Sequence, residues 1–254
     1  MSGGPIITLL TDFGTRDSYV AEMKGVLLSR APDAVLVDVT HEIPPGDVLA
    51  GQYVLARTWQ RFPAGTVHLA VVDPGVGSER RALAAAAGGH GFVAPDNGLL
   101  TPVLAGATIV ALPEPAGAAP TFHGRDLFAP AAAALALGTA IEALGVTIHD
   151  PVRRSPPEPT ERDGAMIGHV VYVDRFGTLV TNLPGAAAAR ARVVWIGAHT
   201  IGPLRHSFSD VRPGVPLALV GSGGALEIAV RGGSAADTLA AQVGMEVRIP
   251  LGDP

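Results

Sequence analysis

The sequence predicts an α/β protein in two parts: an N-terminal α/β domain with a central, mostly parallel or mixed sheet, and a smaller C-terminal β-barrel domain. Three observations support this prediction. Residues 1–150 alternate short apolar runs with longer helical patterns. A proline-rich stretch follows at 151–164. Residues 165–254 then contain short β-type runs separated by turns rich in Gly and Pro.

In the N-terminal part, strands are expected at residues 6–10, 35–39 and 67–72, and helices at 19–29, 48–61 and 125–137. The runs 6–10 and 35–37 are apolar at consecutive positions, as expected of strands that helices cover on both faces. Residues 84–87 and 91–94 indicate a hairpin, so the sheet could be mixed.

The second part begins after a stretch that cannot be regular structure. Four prolines lie within residues 151–159, which excludes a helix or a central strand and places the linker at 151–164. Strands of the predicted barrel are expected at 167–173, 178–182, 193–196, 217–220, 226–230 and 246–249.

Composition excludes several kinds of chemistry. The absence of cysteine removes disulfides, thiolate nucleophiles and iron–sulfur clusters, and the scattered histidines show no metal-ligand spacing, so no metal site is expected. The net charge of −5 and the lack of a Lys/Arg block argue against nucleic acid. No apolar run reaches the ~20 residues of a membrane span, and no signal-peptide pattern is visible, so a cytoplasmic location is expected.

Three loops of the N-terminal part carry candidate functional residues. Asp12 follows the first strand, where ligands bind in open α/β sheets, and its carboxylate could accept hydrogen bonds from ribose hydroxyls or simply cap a turn. Asp73 follows the third strand, and Arg80 or Arg81 could return to face it, as catalytic groups or as a structural ion pair. His123 precedes a helix and could move a proton, orient a water or serve as a cap.

Two segments of the C-terminal part, residues 172–178 and 220–227, place polar groups beside glycines at strand ends. They could bind an amino-acid head group or an adenine, with Phe176 or Phe208 stacking on a ring. The alternative is ordinary β-turn chemistry with aromatic residues of the core.

Five motifs, in this order and spread over nearly the whole chain, resemble the S-adenosylmethionine hydroxide adenosyltransferase family, which is related to fluorinating and chlorinating enzymes. They are Thr11-Asp12-Phe13-Gly14, Asp73-Pro74-Gly75-Val76-Gly77-Ser78-Glu79-Arg80, Ala94-Pro95-Asp96-Asn97-Gly98-Leu99-Leu100, Thr121-Phe122-His123-Gly124-Arg125-Asp126 and Val173-Asp174-Arg175-Phe176-Gly177.

The resemblance implies a homotrimer with active sites at subunit interfaces, and it implies the site residues. Asp73, Arg80 and His123 would surround a nucleophilic water, and Asp12 would hold the ribose hydroxyls. The remaining substrate-binding residues implied by it are Phe13, Asp17, Thr121, Phe122, Asp174, Phe176, Thr178, Phe208, Ser222, Glu227 and Val230. Thr178 stands where the family usually has Asn, and Ala225 where it often has an aromatic residue.

The implied reaction is hydrolysis of S-adenosyl-L-methionine to adenosine and L-methionine by attack of water at ribose C5′. S-adenosylmethionine is then the substrate, and no cofactor is expected. Either Asp73 or His123 could accept the proton of the water, while Arg80 stabilises developing hydroxide.

The alternatives are a halide-dependent adenosyltransferase on the same fold, which a carboxylate at position 73 disfavours, and a non-catalytic sensor of S-adenosylmethionine or adenosine. A methyltransferase is disfavoured because no glycine-rich fingerprint follows the first strand.

Overall fold

The computed structural model describes residues 3–189 and 191–251. The chain divides into two compact units between Arg154 and Ser155, a point that lies within the stretch predicted as the linker. Within the described residues, none of the helices has the length and hydropathy that crossing a membrane requires.

The described residues of the N-terminal unit, 3–154, form seven strands and three α-helices. The strands are β1 (Ile6–Thr11), β2 (Val35–Thr40), β3 (Val67–Val71), β4 (Ala82–Ala87), β5 (His90–Pro95), β6 (Thr108–Leu112) and β7 (Val146–Thr147). The helices are α1 (Tyr19–Arg30), α2 (Val48–Thr58) and α3 (Ala129–Ala136), with short 3₁₀ turns at Trp59–Arg61, Thr101–Val103 and Ile141–Ala143 and a π-helical turn at Gly124–Phe128.

The seven strands form one mixed sheet in the order β2-β1-β3-β5-β4-β6-β7. β1 pairs in parallel with β2 and β3, and β3 pairs in parallel with β5. β4 runs antiparallel to β5 and β6, so the predicted hairpin and the predicted α/β class with a mixed sheet are confirmed.

β1 and β3 are interior strands of the sheet and pack against the core of this unit. Every residue of β3 is buried, and so is every residue of β1 after Ile6. Ile7 and Leu9 face the core cluster that includes Met23 and Leu27 of α1 and the buried alanines of α3. Because side chains alternate along a strand, Thr8 and Leu10 point to the opposite face of the sheet.

The prediction that the run at 35–37 is covered on both faces was wrong. β2 is the edge strand of the sheet, and Val35 is 50% exposed. β-branched residues favour any extended strand, and their presence does not distinguish an edge from a centre.

The segment predicted as a helix at 125–137 forms a π-helical turn followed by an α-helix. The Ala129 N–H bonds to the Gly124 carbonyl five residues back, which makes Gly124–Phe128 a π-helical turn, and the α-helix begins at Ala129. Pro130 has no N–H to continue an α-helical pattern back to Asp126. Such π-turns occur frequently at functional sites, and this one directly follows His123.

The C-terminal unit is almost entirely β. Its strands are β8 (Thr160–Arg162), β9 (Ala165–Val173), β10 (Leu179–Pro184), β11 (Val194–Ile196), β12 (His199–Ile201), β13 (Pro216–Val220), β14 (Ala225–Val230) and β15 (Glu246–Pro250). Among the described residues of this unit, two short helices, α4 (Gly185–Ala188) and α5 (Ala235–Thr238), and a 3₁₀ turn at Phe208–Asp210 lie between strands.

These strands form one antiparallel sheet in the order β12-β11-β15-β9-β10-β14-β13, with β8 added beside β9. Arg205, just after β12, bridges Leu219 of β13, so the two edges approach and the sheet is nearly closed into a barrel. The predicted barrel is therefore confirmed. β6, β7, β8 and β12 were not predicted, because three of them have only two or three residues and β6 shows no clear alternation.

A row of buried, hydrogen-bonded polar side chains crosses the sheet of the N-terminal unit. The Thr8 hydroxyl lies 2.8 Å from His68 Nδ1, and His68 Nε2 lies 3.1 Å from His90 Nδ1. The His68 ring also stacks on Phe92 with a centroid distance of 5.0 Å. Burial, with a smaller contribution from the neighbouring His90, lowers the pKa of His68 to about 4.

We expect acid to destabilise this unit through His68. The unfolded chain binds a proton below pH ~6.5, whereas the folded chain binds it only near pH 4. The stability contributed by neutral His68 is therefore complete above pH ~6.5 and is lost as the pH falls towards 4, by roughly 2 kcal/mol at pH 5.

Urea unfolding at pH 7.5 and pH 5.0 checks this. His68→Asn should reduce the acid-induced loss of unfolding free energy by roughly 2 kcal/mol relative to the unaltered protein. His149→Gln, which changes an exposed histidine of the same unit, should leave the loss unchanged. An equal loss in His68→Asn and the unaltered protein would contradict the assignment.

Candidate functional site

Asp73 and Arg80 form a buried ion pair at the end of β3. Arg80 Nε donates to Asp73 Oδ1 at 3.0 Å and to Oδ2 at 3.1 Å, and Arg80 Nη2 also donates to Oδ2. Only 4% of the Asp73 side chain and 11% of the Arg80 side chain are exposed. The guanidinium also lies over the Phe128 ring, 5.1 Å from its centroid. The loop 73–80 thus returns Arg80 to the carboxylate that begins it.

His123 joins the pair from the loop before the π-turn. Arg80 Nη2 lies 3.0 Å from His123 Nδ1, and the histidine is only 3% exposed. Among the described residues, His123 Nε2 has no hydrogen-bond partner, since Glu114 Oε1 is 3.9 Å away. The structure therefore brings Asp73, Arg80 and His123 into one hydrogen-bonded set.

The donor chemistry of arginine decides the proton position on His123. A guanidinium can only donate, so Nδ1 must be the acceptor of the Arg80 contact. A neutral ring then carries its proton on Nε2, the atom for which the described part of the chain offers no partner. His123 consequently presents a buried N–H donor.

The choice between Arg80 and Arg81 as the partner of Asp73 is settled by geometry. Arg81 Nε donates to Asp96 Oδ2 at 2.8 Å, and Arg81 Nη1 donates to Asp150 Oδ1 at 2.8 Å. Arg81 therefore serves a separate ion-pair network, and Arg80 alone of the two contacts Asp73.

Asp12 lies at the same edge of the sheet as Asp73. Thr11 pairs with Val71 in the parallel β1–β3 ladder, so the residues after both strands leave the sheet side by side. Asp12 Oδ2 accepts a hydrogen bond from Gly46 N–H at 2.7 Å. Burial raises the pKa of Asp12, and the charge of Asp73 adds to the rise.

Aromatic rings accompany these groups. Phe13, Tyr19 and Phe122 contact one another with centroid distances of 5.2 to 6.1 Å. Phe13 and Phe122 were predicted site residues, whereas Asp17 and Thr121, also predicted, are exposed.

Sequence reasoning missed Tyr19 and Gly46 in this unit. Tyr19 was assigned only to the helix that it begins. The signal for Gly46 was the Pro44-Pro45-Gly46 turn, whose glycine has φ +73° and turns its N–H to Asp12.

The C-terminal unit contains a cavity of about 700 Å³. All seven site residues predicted in this unit line it: Asp174, Phe176, Thr178, Phe208, Ser222, Glu227 and Val230. Leu219, Val220, Gly221, Gly232 and Gly233 complete the wall. The predicted residues come from three separate segments, so their convergence is a property of the barrel and not of the sequence order.

Asp174 organises one side of this cavity. Its Oδ1 accepts hydrogen bonds from Phe176 N at 2.9 Å and from Thr178 N at 2.8 Å, which fixes the turn between β9 and β10. Phe176 projects from this turn and is 76% exposed. A large apolar ring that is open to solvent beside polar groups is typical of a ligand-binding wall.

No group of three or more His, Asp or Glu residues is placed to hold a metal ion in the described parts of the chain, residues 3–189 and 191–251.

Comparison with known proteins identifies relatives over nearly the full length. The model of the SAM hydroxide adenosyltransferase N-terminal domain matches residues 7–145, and that of the C-terminal domain matches residues 168–248. The (R)-S-adenosyl-L-methionine hydrolase of Thermus thermophilus is 42% identical, covering 96% of this chain and 98% of the relative. The fluorinase of an Actinoplanes species is 31% identical, covering 90% and 91%.

A solved structure has a similar fold over nearly the full length. The crystal structure of an uncharacterized conserved protein from Thermotoga maritima superposes with a TM-score of 0.89 at 35% identity, covering 96% of this chain and 99% of that chain. The two family models and the full-length relatives agree with the motifs and with the α/β and barrel folds. The chain belongs to the SAM hydroxide adenosyltransferase family.

Proposed function

We propose that this protein hydrolyses S-adenosylmethionine to adenosine and L-methionine by attack of water on ribose C5′. The observation that carries the proposal is the buried set of Asp73, Arg80 and His123, in which His123 Nε2 has no hydrogen-bond partner within residues 3–189 and 191–251. Relatives 40% and 42% identical over nearly the whole chain are named (R)-S-adenosyl-L-methionine hydrolase, which supports an enzyme of this class. We propose the R epimer at sulfur as its substrate.

The reaction needs alignment more than acid catalysis. The water oxygen forms a bond to C5′, the C5′–S bond breaks, and its electron pair remains on sulfur as the thioether of methionine. Because a sulfonium is a good leaving group, no acid is needed at sulfur. The protein must hold a water behind C5′ and accept one proton.

His123 is the hydrogen-bond donor in this scheme. Its Nδ1 accepts from Arg80, so its neutral ring has no acceptor left for the proton of the water. The Nε2–H instead holds the water by its oxygen and steadies the hydroxide character that develops during attack.

Asp73 is the base in this scheme. Its Oδ1 accepts one hydrogen bond, from Arg80 Nε, and a carboxylate oxygen has a second lone pair that can take the proton. Arg80 orients the carboxylate through hydrogen bonds to both of its oxygens. Asp12 would hold the ribose hydroxyls, and no step in the scheme needs a cofactor.

The cavity of the C-terminal unit would bind the non-reacting parts of the substrate. Asp174 and Ser222 would contact the methionine portion, and Phe208, Glu227 and the Val230 backbone the ribose and adenine. We also propose the homotrimer with active sites at subunit interfaces that the resemblance implies, and a cytoplasmic location, which suits a metabolite as substrate.

The halide-dependent reaction is the second candidate, since fluorinases are among the more distant relatives. Asp73 disfavours it, because a carboxylate beside the attacking position repels a halide.

The first test follows the oxygen atom. Incubation with each sulfonium epimer of S-adenosylmethionine in oxygen-18 water should give adenosine labelled at its 5′ oxygen, from the R epimer, with methionine in equal amount by mass spectrometry. A halogenated nucleoside formed only when chloride or fluoride is present would support the second candidate. Intact substrate retained on the protein would support a sensor.

Variants of the set should separate the base from the donor. We expect Asp73→Asn, which keeps the shape but removes the basic oxygen, to lower kcat by about 10²- to 10⁴-fold. His123→Asn, whose amide can still donate, should retain more activity than His123→Ala. Glu79→Gln, which removes an exposed carboxylate from the same loop, is the matched control and should leave kcat unchanged. Equal losses in both His123 variants would argue against the donor role.

Gly221 is required for the position of Glu227. A Cβ at Gly221 would lie 1.8 Å from Glu227 Oε1, so Gly221→Ala must displace the carboxylate from the cavity wall. We expect KM to rise about tenfold or more, since a buried polar contact is typically worth ~1–3 kcal/mol. kcat should change little, because Glu227 would contact a part of the substrate that does not react. Gly223→Ala, in the same turn, serves as the control, and an unaltered KM in Gly221→Ala would contradict the role of Glu227.

A further inference from the structure

Two consecutive residues, Asp96 and Asn97, hold both ends of the loop 73–80. Asn97 Nδ2 donates to the Val72 carbonyl at 2.8 Å, directly before Asp73. The Asp96 N–H donates to the Arg81 carbonyl at 2.9 Å, directly after Arg80. These residues belong to the motif Ala94-Pro95-Asp96-Asn97-Gly98-Leu99-Leu100, to which the sequence analysis assigned no role.

Both ends of the Asn97 amide are engaged. While Nδ2 donates to Val72, Oδ1 accepts from Leu99 N at 3.2 Å, which fixes the amide plane. Val72 is fully buried, so no water can replace the donor that its carbonyl receives. Asp96 is equally constrained, because Oδ1 accepts from Val152 N at 2.7 Å and Oδ2 from Arg81 Nε at 2.8 Å.

The consequence falls on Asp73. The Val72 carbonyl belongs to the peptide that leads into Asp73, so rotation of that peptide would move the Asp73 carboxylate relative to Arg80 and His123. We propose that Asn97 is a positioning residue for Asp73 and that it acts through the Val72 carbonyl without touching the substrate. The inference deepens the proposed function and its kinetic test rests on it.

Substitution of Asn97 should lower kcat more than it changes KM. We expect Asn97→Ala to lower kcat about tenfold or more, since displacement of a reacting group by about 1 Å can cost up to ~10²-fold, while KM stays within about threefold. Asn97→Asp is the second variant, because it keeps the shape and the acceptor for Leu99 N–H but loses the donor to Val72. Thr101→Val is the control. It removes a hydroxyl that donates to Gly98 O at 2.6 Å and accepts from Arg154 N at 2.9 Å. Neither hydrogen bond involves the loop 73–80.

A double variant distinguishes positioning from general support of the fold. In the Asp73→Asn background, Asn97→Ala should have no further effect on kcat, because the group that it positions no longer reacts. The same fold-loss in both backgrounds, or a kcat equal to that of the unaltered protein in Asn97→Ala, would overturn the proposal.

A readout without turnover keeps the inference separate from the proposed function. The Arg80 Nε–H, assigned in the ¹H–¹⁵N NMR spectrum by its loss in Arg80→Lys, should exchange slowly with water in the unaltered protein and in Thr101→Val, and faster in Asn97→Ala. Slow exchange in all three would overturn the positioning role. Absence of turnover in the unaltered protein, with exchange as expected, would contradict the proposed function alone.

Discussion

The parallel pairing of β1 with β3 is the constraint on which the N-terminal unit depends. β3 is buried along its whole length and β1 at every residue after Ile6, and their register places Thr11 opposite Val71. The residues that follow, Asp12 and Asp73, therefore leave the sheet at one edge, although 60 residues separate them in the chain. Their proximity has an electrostatic consequence, since the charge of Asp73 contributes to the raised pKa of Asp12. Both carboxylates thus lie at the edge of the sheet formed by the C-terminal ends of its parallel strands, which is where open α/β folds bind ligands.

The buried pair of Asp73 and Arg80 is better explained by chemistry than by stability. Removing two charges from water costs several kcal/mol per ion, and a well-packed apolar pair is often equally stable. What this pair provides is a carboxylate whose position is fixed by hydrogen bonds from Arg80 Nε to both of its oxygens. The same guanidinium also sets the tautomer of His123, so one arginine prepares both an acceptor and a donor.

The C-terminal unit provides a cavity whose lining is assembled by the fold of its sheet. Its nearly closed sheet gathers turns from three segments around one cavity, and an Asp side chain, a Glu side chain and two phenylalanine rings line it. Glycine has a specific role there, since the Glu227 carboxylate occupies the space in which any side chain at position 221 would lie.

The sequence by itself determined the α/β and barrel classes, the hairpin of β4 and β5, and the family. Buried strands, hairpin turns and short motifs are local patterns, and each can be identified within a stretch of ten residues or fewer. The residue pattern left open whether Arg80 or Arg81 faces Asp73, a choice for which only the family resemblance favoured Arg80. It also predicted wrongly that β2 is covered on both faces, and it did not indicate where the proton of His123 resides. Only the tertiary structure decided these points, because strand order, burial and hydrogen-bond partners join residues far apart in the chain. The same holds for Asn97, whose motif was visible but whose partner, the Val72 carbonyl, lies 25 residues earlier.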